Sequence, residues 1–168
     1  MFKHILVPTD GSVLSEAAIQ MAVALAAVHE AKVTGFHVMP EFHILAYGVE
    51  TLIDTEEQFT RHARQHADAY LAVLGQAATE ADVEFDTVVV TDTRPYEAII
   101  GAATKQNCDL IVMASHGRGG MGALLLGSET QKVLVHSQIP VLVVRQKVQA
   151  IGSDADAKRS LSQPLIVA

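Results

Sequence analysis

Short apolar-rich runs alternate with stretches of helical periodicity along most of this chain, and that alternation restricts the fold more than any other feature. Ile5-Leu-Val7, Val33–Met39, Val83–Thr91, Asp109–Met113 and Val141–Val144 read as five strands, each bounded by proline, glycine or polar residues. The segments between them read as helices. Ser12 to His29 places Ala18, Ala22, Leu25 and Ala26 on one face, with Ser12 as its N-cap. Thr55-Glu-Glu-Gln58 has capping-box spacing and opens a long helix striped by Phe59, Ala63, Ala67, Tyr70, Leu71, Leu74 and Ala78. Pro95 suits the first turn of a helix that turns Ala98, Ile99 and Ala102 inward. Ser128-Glu-Thr-Gln131 is a second capping box, opening a helix through Val135. Strands alternating with helices require a parallel sheet covered on both faces, with right-handed crossovers. Leu110–Met113 and Val141–Val144 are apolar at every position, as strands buried on both faces should be. Ligands of such sheets bind beyond the carboxyl ends of the strands, where the winding reverses. Pro8–Ser12 and Ala114–Ser128 are therefore the segments to watch.

Composition narrows the class. A chain of 168 residues with 49% apolar residues can bury one ordinary core, which excludes disorder for its bulk. The net charge of −7 and the lack of any basic run argue against a nucleic-acid surface. An anionic ligand would have to be gripped by local backbone donors. Cys108, the one cysteine, stands at the start of an apolar run and reads as a small buried thiol rather than a nucleophile. The first residues have no apolar run before Pro8 and Asp10 that could serve as a signal peptide. The longest apolar stretch, Ala17–Val28, is broken by Gln20 and too short to span a bilayer. The expectation is a cytoplasmic protein without membrane insertion. Its organisation is a domain over residues 1–146 and a C-terminal appendage over 147–168. The apolar end of that tail, Pro-Leu-Ile-Val-Ala, either docks on a neighbour or frays.

The chemistry concentrates in Ala114–Ser128, ASHGRGGMGALLLGS. Glycine lets the backbone approach a ligand closely, and a helix start offers unpaired N–H groups and a positive dipole end. Strand, glycine-rich loop and helix start together form a cradle for phosphate; the alternative is a flexible surface loop. Gly117-Arg-Gly119-Gly120-Met-Gly122 satisfies G-x-G-x-x-G. However, it follows the fourth strand and no acidic residue lies about 20 positions on to hold a ribose. Gly117 and Gly122 also have P-loop spacing, but Ala123-Leu124 stands where Lys-Ser/Thr is required. His62 and His66 share a helix face without a third ligand, and read as solvated. Asp92, Arg94 and Glu97 read as capping and an ion pair at a helix start. Asp10 closes a strand at the switch point beside Gly11. Its carboxylate can accept from ribose hydroxyls or an adenine amine, and it can cap the helix from Ser12; the two roles are compatible.

Four pieces carry a family resemblance. They are Lys3-His-Ile-Leu-Val-Pro-Thr-Asp-Gly-Ser12, the strand ending His37-Val38, the loop Ser115-His-Gly-Arg-Gly-Gly120, and Gly127-Ser128 followed by Pro140-Val-Leu-Val-Val-Arg145. Across about Phe2 to Arg145 the chain resembles the universal stress protein family, specifically its small single-domain members. The resemblance implies a three-layer α/β/α open sheet of five parallel strands, order 3-2-1-4-5, Rossmann-like and of the adenine nucleotide alpha-hydrolase kind. Its ATP-binding branch is marked by Gly-x2-Gly-x9-Gly-Ser/Thr. Here Ala114-Ser-His-Gly117, nine residues and Gly127-Ser128 keep that spacing, with alanine in place of the first glycine. If that position needs positive φ, alanine costs about 1 kcal/mol.

Carried over position by position, the resemblance implies that Pro8, Thr9 and Asp10 line the adenine and ribose side. Val38 would pack on adenine, and Met113 and Ala114 would sit under the ribose and α-phosphate. Gly117, Gly127, Ser128, Glu129 and Thr130 would surround the triphosphate, Glu129 through its backbone alone. The cofactor would be ATP, with AMP or ADP as alternatives and Mg2+ between the phosphates and Ser128 as an option. No catalytic residue is assigned, so hydrolysis would be slow. The expected function is a nucleotide-responsive regulatory module in stress response, read by another protein. The alternative is a dimeric interaction module of the same family that binds no nucleotide. The resemblance and the apolar edge strand Val141–Arg145 both point to an antiparallel homodimer.

Overall fold

A computed structural model of the protein describes residues 1–42, 56–116 and 126–145. The elements run β1 (His4–Pro8), α1 (Val13–His29), β2 (Lys32–Met39), α2 (Glu56–Glu80), β3 (Phe85–Thr91), α3 (Pro95–Lys105), β4 (Leu110–Ala114), α4 (Ser128–His136) and β5 (Val141–Val144). All five strands are parallel and stand in the order β3-β2-β1-β4-β5, as the family resemblance implies. The Thr55 cap, the loop residues 117–125 including Gly117, and the appendage from residue 146 lie outside the described residues.

The pleat divides the core in two, because successive strand residues point to opposite faces. Ile5 and Val7 of β1 join Val33, Leu110 and Val112 under α1 and α2. Leu6 faces the other way and joins Phe36, Ile111 and Met113 under α3 and α4. Each helix supplies the face that its periodicity predicts. Ala18, Ala22 and Ala26 of α1 are wholly buried, as are Ala67, Leu74 and Ala78 of α2. Ser12 caps α1 by accepting from Ser15 N–H at 3.2 Å. Pro95 stands in the first turn of α3. Cys108 is buried, and that burial, reinforced by the charge of Asp109, pushes its thiol up to about 11. Among the described residues no helix is long and apolar enough to cross a membrane.

One expectation fails. β4 is buried at every residue, but β5 is only half-buried, with Leu142 exposed. The run Val141–Val144 was read as buried on both faces because its residues are all apolar. Its place at the sheet edge leaves one side without a neighbouring strand among the described residues. Small boundary differences follow the same logic: Val83 is buried but precedes the paired residues of β3, which begin at Phe85.

The turn from β1 into α1 is closed by Gly11, which holds φ at +73°. A Cβ there would run into the ring of Tyr70 on α2. Both left-handed strain and a steric collision therefore oppose a side chain at this position. Gly11→Ala is expected to destabilise the fold by about 2–4 kcal/mol, read as a lower urea midpoint at unchanged slope.

Candidate functional site

The strands part where their hydrogen bonding ends. Pairing between β1 and β4 covers Ile5 with Leu110 and Leu6 with Ile111, and stops short of Pro8 and Ala114. Pro8 has no N–H to donate to a ladder. Beyond this point the chain leaves β1 toward α1 on one face and leaves β4 toward α4 on the other. The result is a cleft of about 440 Å³ at the switch point.

The β1 side is a hydrogen-bonded turn. Thr9 N–H donates to Phe36 O at 2.9 Å, anchoring the turn to β2. Gly11 N–H reaches Thr9 Oγ1 at 3.2 Å, and Ser12 N–H reaches Asp10 Oδ1 at 3.1 Å. Thr9 Oγ1 also lies 3.0 Å from Ser15 Oγ. Asp10 thus closes the turn ahead of α1, while Ser12 rather than Asp10 caps the helix; Asp10 still lines the cleft.

The β4 side is a helix start. Gly127 N–H donates to Ser115 O at 2.8 Å, and Thr130 Oγ1 donates to Ala114 O at 3.0 Å. These two bonds pin α4 against the end of β4. Gly127 is the N-cap, with φ −62° and ψ 150°, and Ser128 is already inside the helix. The expected capping box is therefore displaced by one residue, and Gln131 instead donates from Nε2 to Leu126 O at 2.9 Å. Glycine is needed here for closeness, not for its φ. A Cβ at Gly127 would stand 3.1 Å from His116 Cα. Gly127 itself makes no side-chain capping bond, and the residues of the first turn of α4 line the cleft. Ala114 has extended backbone in β4; the positive-φ residues other than glycine among those described are Glu30, Asp82 and Asn107. Alanine at this position therefore carries no backbone strain.

Glu129 does something the sequence did not reveal. Its Oε2 accepts from Tyr96 N–H at 3.0 Å, and its Oε1 pairs with Lys132 Nζ at 2.8 Å. The carboxylate thereby caps α3, whose own N-cap Arg94 makes no side-chain capping bond. Asp92, Arg94 and Glu97 behave nearer to expectation. Arg94 N–H donates to Asp92 Oδ1 at 2.8 Å, and Arg94 Nη1 pairs with Glu97 Oε2 at 2.7 Å.

Of the residues singled out from the sequence, Pro8, Thr9, Asp10, Val38, Met113, Ala114, Gly127, Ser128, Glu129 and Thr130 all line this cleft. Phe36 and Ile99 add apolar floor. His37 and His116 were missed. His37 Nδ1–H donates to Thr9 O at 2.7 Å, which fixes a proton on that nitrogen, and its ring meets Tyr70 edge-on at 5.4 Å. His116 Nδ1 lies 3.1 Å from Ser115 Oγ. Position at the carboxyl end of β2 was the available signal for His37; for His116 it was adjacency to the loop. His62 and His66 are exposed, and no metal-binding group of His, Cys, Asp or Glu occurs among the described residues.

A doubly wound sheet with a cleft at its switch point, a helix start on one wall and a carboxylate-bearing turn on the other, defines a Rossmann-like α/β domain. The model of the universal stress protein family matches residues 1–145, and the chain belongs to that family. It is 34% identical over 145 residues to the universal stress protein in the QAH/OAS sulfhydrylase 3′ region of Thermus aquaticus, covering 86% of this chain and 100% of that one. The solved structure of protein MJ0577, known from Methanocaldococcus jannaschii, overlays with a TM-score of 0.74 at 30% identity, covering 88% of this chain and 98% of that one. A universal stress protein solved in complex with cAMP shares the fold, with a TM-score of 0.64 at 23% identity over 86% of this chain and 97% of that one.

The Thr130–Ala114 bond is a concrete test of how α4 is held. Thr130→Val keeps the shape but leaves a buried carbonyl with one donor fewer. A loss of about 1–2 kcal/mol is expected by thermal or urea unfolding, with faster amide exchange at the start of α4.

Proposed function

We propose that the chain is an adenine-nucleotide-binding regulatory module whose ligand is ATP, with AMP and ADP sharing the site. The observation that carries this reading is that the first turn of α4 and Asp10 line one cleft of nucleotide size. In an acidic protein, oriented amides supply the local positive potential that the global charge does not. Pro8, Thr9 and Asp10 would contact base and ribose, and Val38 would pack on adenine. Met113 and Ala114 would lie beneath the ribose and first phosphate. The amides of Gly127, Ser128, Glu129 and Thr130 would hold the remaining phosphates, joined by Gly117 from the loop. Ser128 Oγ could meet a Mg2+ ion carried in with them. The cAMP complex of a structural relative supports an adenine ligand for this kind of cleft.

No lysine or arginine lines the cleft among the described residues, so phosphoryl transfer has little electrostatic help and turnover should be slow. Signalling then rests on differential affinity: a nucleotide shifts the populations of two surfaces, one of which another protein reads. A cytoplasmic role in stress response belongs to this reading.

ATP and AMP should each raise the melting temperature. Ligand at 100-fold over Kd adds about 2.7 kcal/mol of stability. Protein purified without added ligand should release adenine nucleotide on denaturation. No shift at millimolar nucleotide would favour the interaction-module alternative, and turnover above roughly 1 per second would favour an enzyme.

The partner at the sheet edge is proposed to be a second copy. The strand Val141–Val144, continued to Arg145, offers an unpaired edge with Leu142 exposed beside it. Light scattering on a sizing column should give twice the chain mass of 18.0 kDa; the monomer mass would overturn the pairing.

A further inference from the structure

Two helix starts converge on the cleft. Residues of the first turn of α4 line it, and so does Pro95 at the first turn of α3. Proline has no N–H, so the first amide that α3 can offer is that of Tyr96. Glu129 Oε2 already holds that amide at 3.0 Å. One of the two positive ends is therefore neutralised by the protein's own carboxylate, and α4 is left as the single open anion seat. The same residue shapes both ends: its backbone belongs to the first turn of α4 while its side chain occupies α3.

The carboxylate is held in place. Lys132 Nζ grips Oε1 at 2.8 Å and lies 5.2 Å from the centre of the Tyr96 ring, and that hydrogen bond raises the lysine above its ordinary value. Lys132 does not line the cleft. Both partners of this pair are partly exposed, so solvent screens it and Lys132 offsets the carboxylate only in part. Asp10 adds a second carboxylate from the opposite wall.

We propose that Glu129 sets the phosphate-number selectivity of the site, holding affinity for triphosphates down relative to monophosphates. The inference rests on the nucleotide reading above. Each phosphate beyond the first brings negative charge into a cleft that already contains a fixed carboxylate. Two further charges at about 8–10 Å in a water-like dielectric correspond to about fivefold in affinity.

The test is a titration series of adenosine, AMP, ADP and ATP against the full chain, Glu129→Gln and Glu84→Gln. Glutamine keeps an acceptor for Tyr96 N–H and removes the charge. Glu84 lies by Lys32 at the far end of the sheet and controls for net charge. Glu129→Gln is expected to strengthen ATP about fivefold more than AMP, to leave adenosine nearly unchanged, and to lose its effect at high salt. Glu84→Gln is expected to do none of this. An unchanged ATP-to-AMP ratio in Glu129→Gln, or an equal change in Glu84→Gln, would overturn the role of Glu129 while leaving nucleotide binding intact. A wild-type protein that binds no adenine compound would instead overturn the nucleotide reading, and this inference with it.

Discussion

The cleft exists because the chain cannot keep β1 and β4 paired to their ends. Pro8 lacks the donor that another rung would need, and the two strands hand over to helices on opposite faces. What turns that gap into a shaped site is a pair of bonds on the β4 side. Gly127 N–H to Ser115 O and Thr130 Oγ1 to Ala114 O set the first turn of α4 directly against the end of the strand. A Cβ at Gly127 would stand 3.1 Å from His116 Cα, so a side chain there would push the two segments slightly apart. Orientation of the helix dipole, position of the open amides and width of the cleft all follow from this junction.

Electrostatics in this molecule are local. Its overall charge repels anions, and the described wall of the cleft carries Asp10 and Glu129 but no ammonium or guanidinium. In the reading proposed above, attraction from the described wall would come from amides within a few ångström, which act where bulk solvent screens distant charges. Glu129 shows how such a site is balanced. Its carboxylate suits the positive end of its own helix and also caps the neighbouring one through Tyr96 N–H, though it would oppose a phosphate bound beside it. The site therefore gains order at α3 and accepts a negative neighbour.

The sequence revealed the fold through β1 and β4, whose apolar content matches their burial, and through α1 and α2, whose stripes are packed as read. It placed Val141–Val144 at the sheet edge, but burial on both faces does not follow from an all-apolar run, and β5 is only half-buried. It placed the cap of α4 one residue late, because Ser128 matches a capping pattern whereas the crowding against His116 that demands Gly127 is a tertiary fact. The candidate residues on both sides of the cleft were legible because switch points and helix starts are set by topology. The Glu129–Tyr96 link was not, since the partners lie 33 residues apart and their meeting depends on how α3 and α4 pack. His37 was hidden by its neighbour Val38, which carried the resemblance.

The ring of Tyr70 fills the space that a side chain at Gly11 would need, and it also rests edge-on against His37 and stacks on His66. Positions 11 and 70 are consequently not free to vary separately during divergence. A smaller residue at 70 would open room beside the β1 turn, yet left-handed backbone would still disfavour most replacements for glycine. The shape of the turn bearing Asp10 is thus supported by an aromatic residue on a different helix, and a side chain at position 11 would need both room at 70 and tolerance of positive φ.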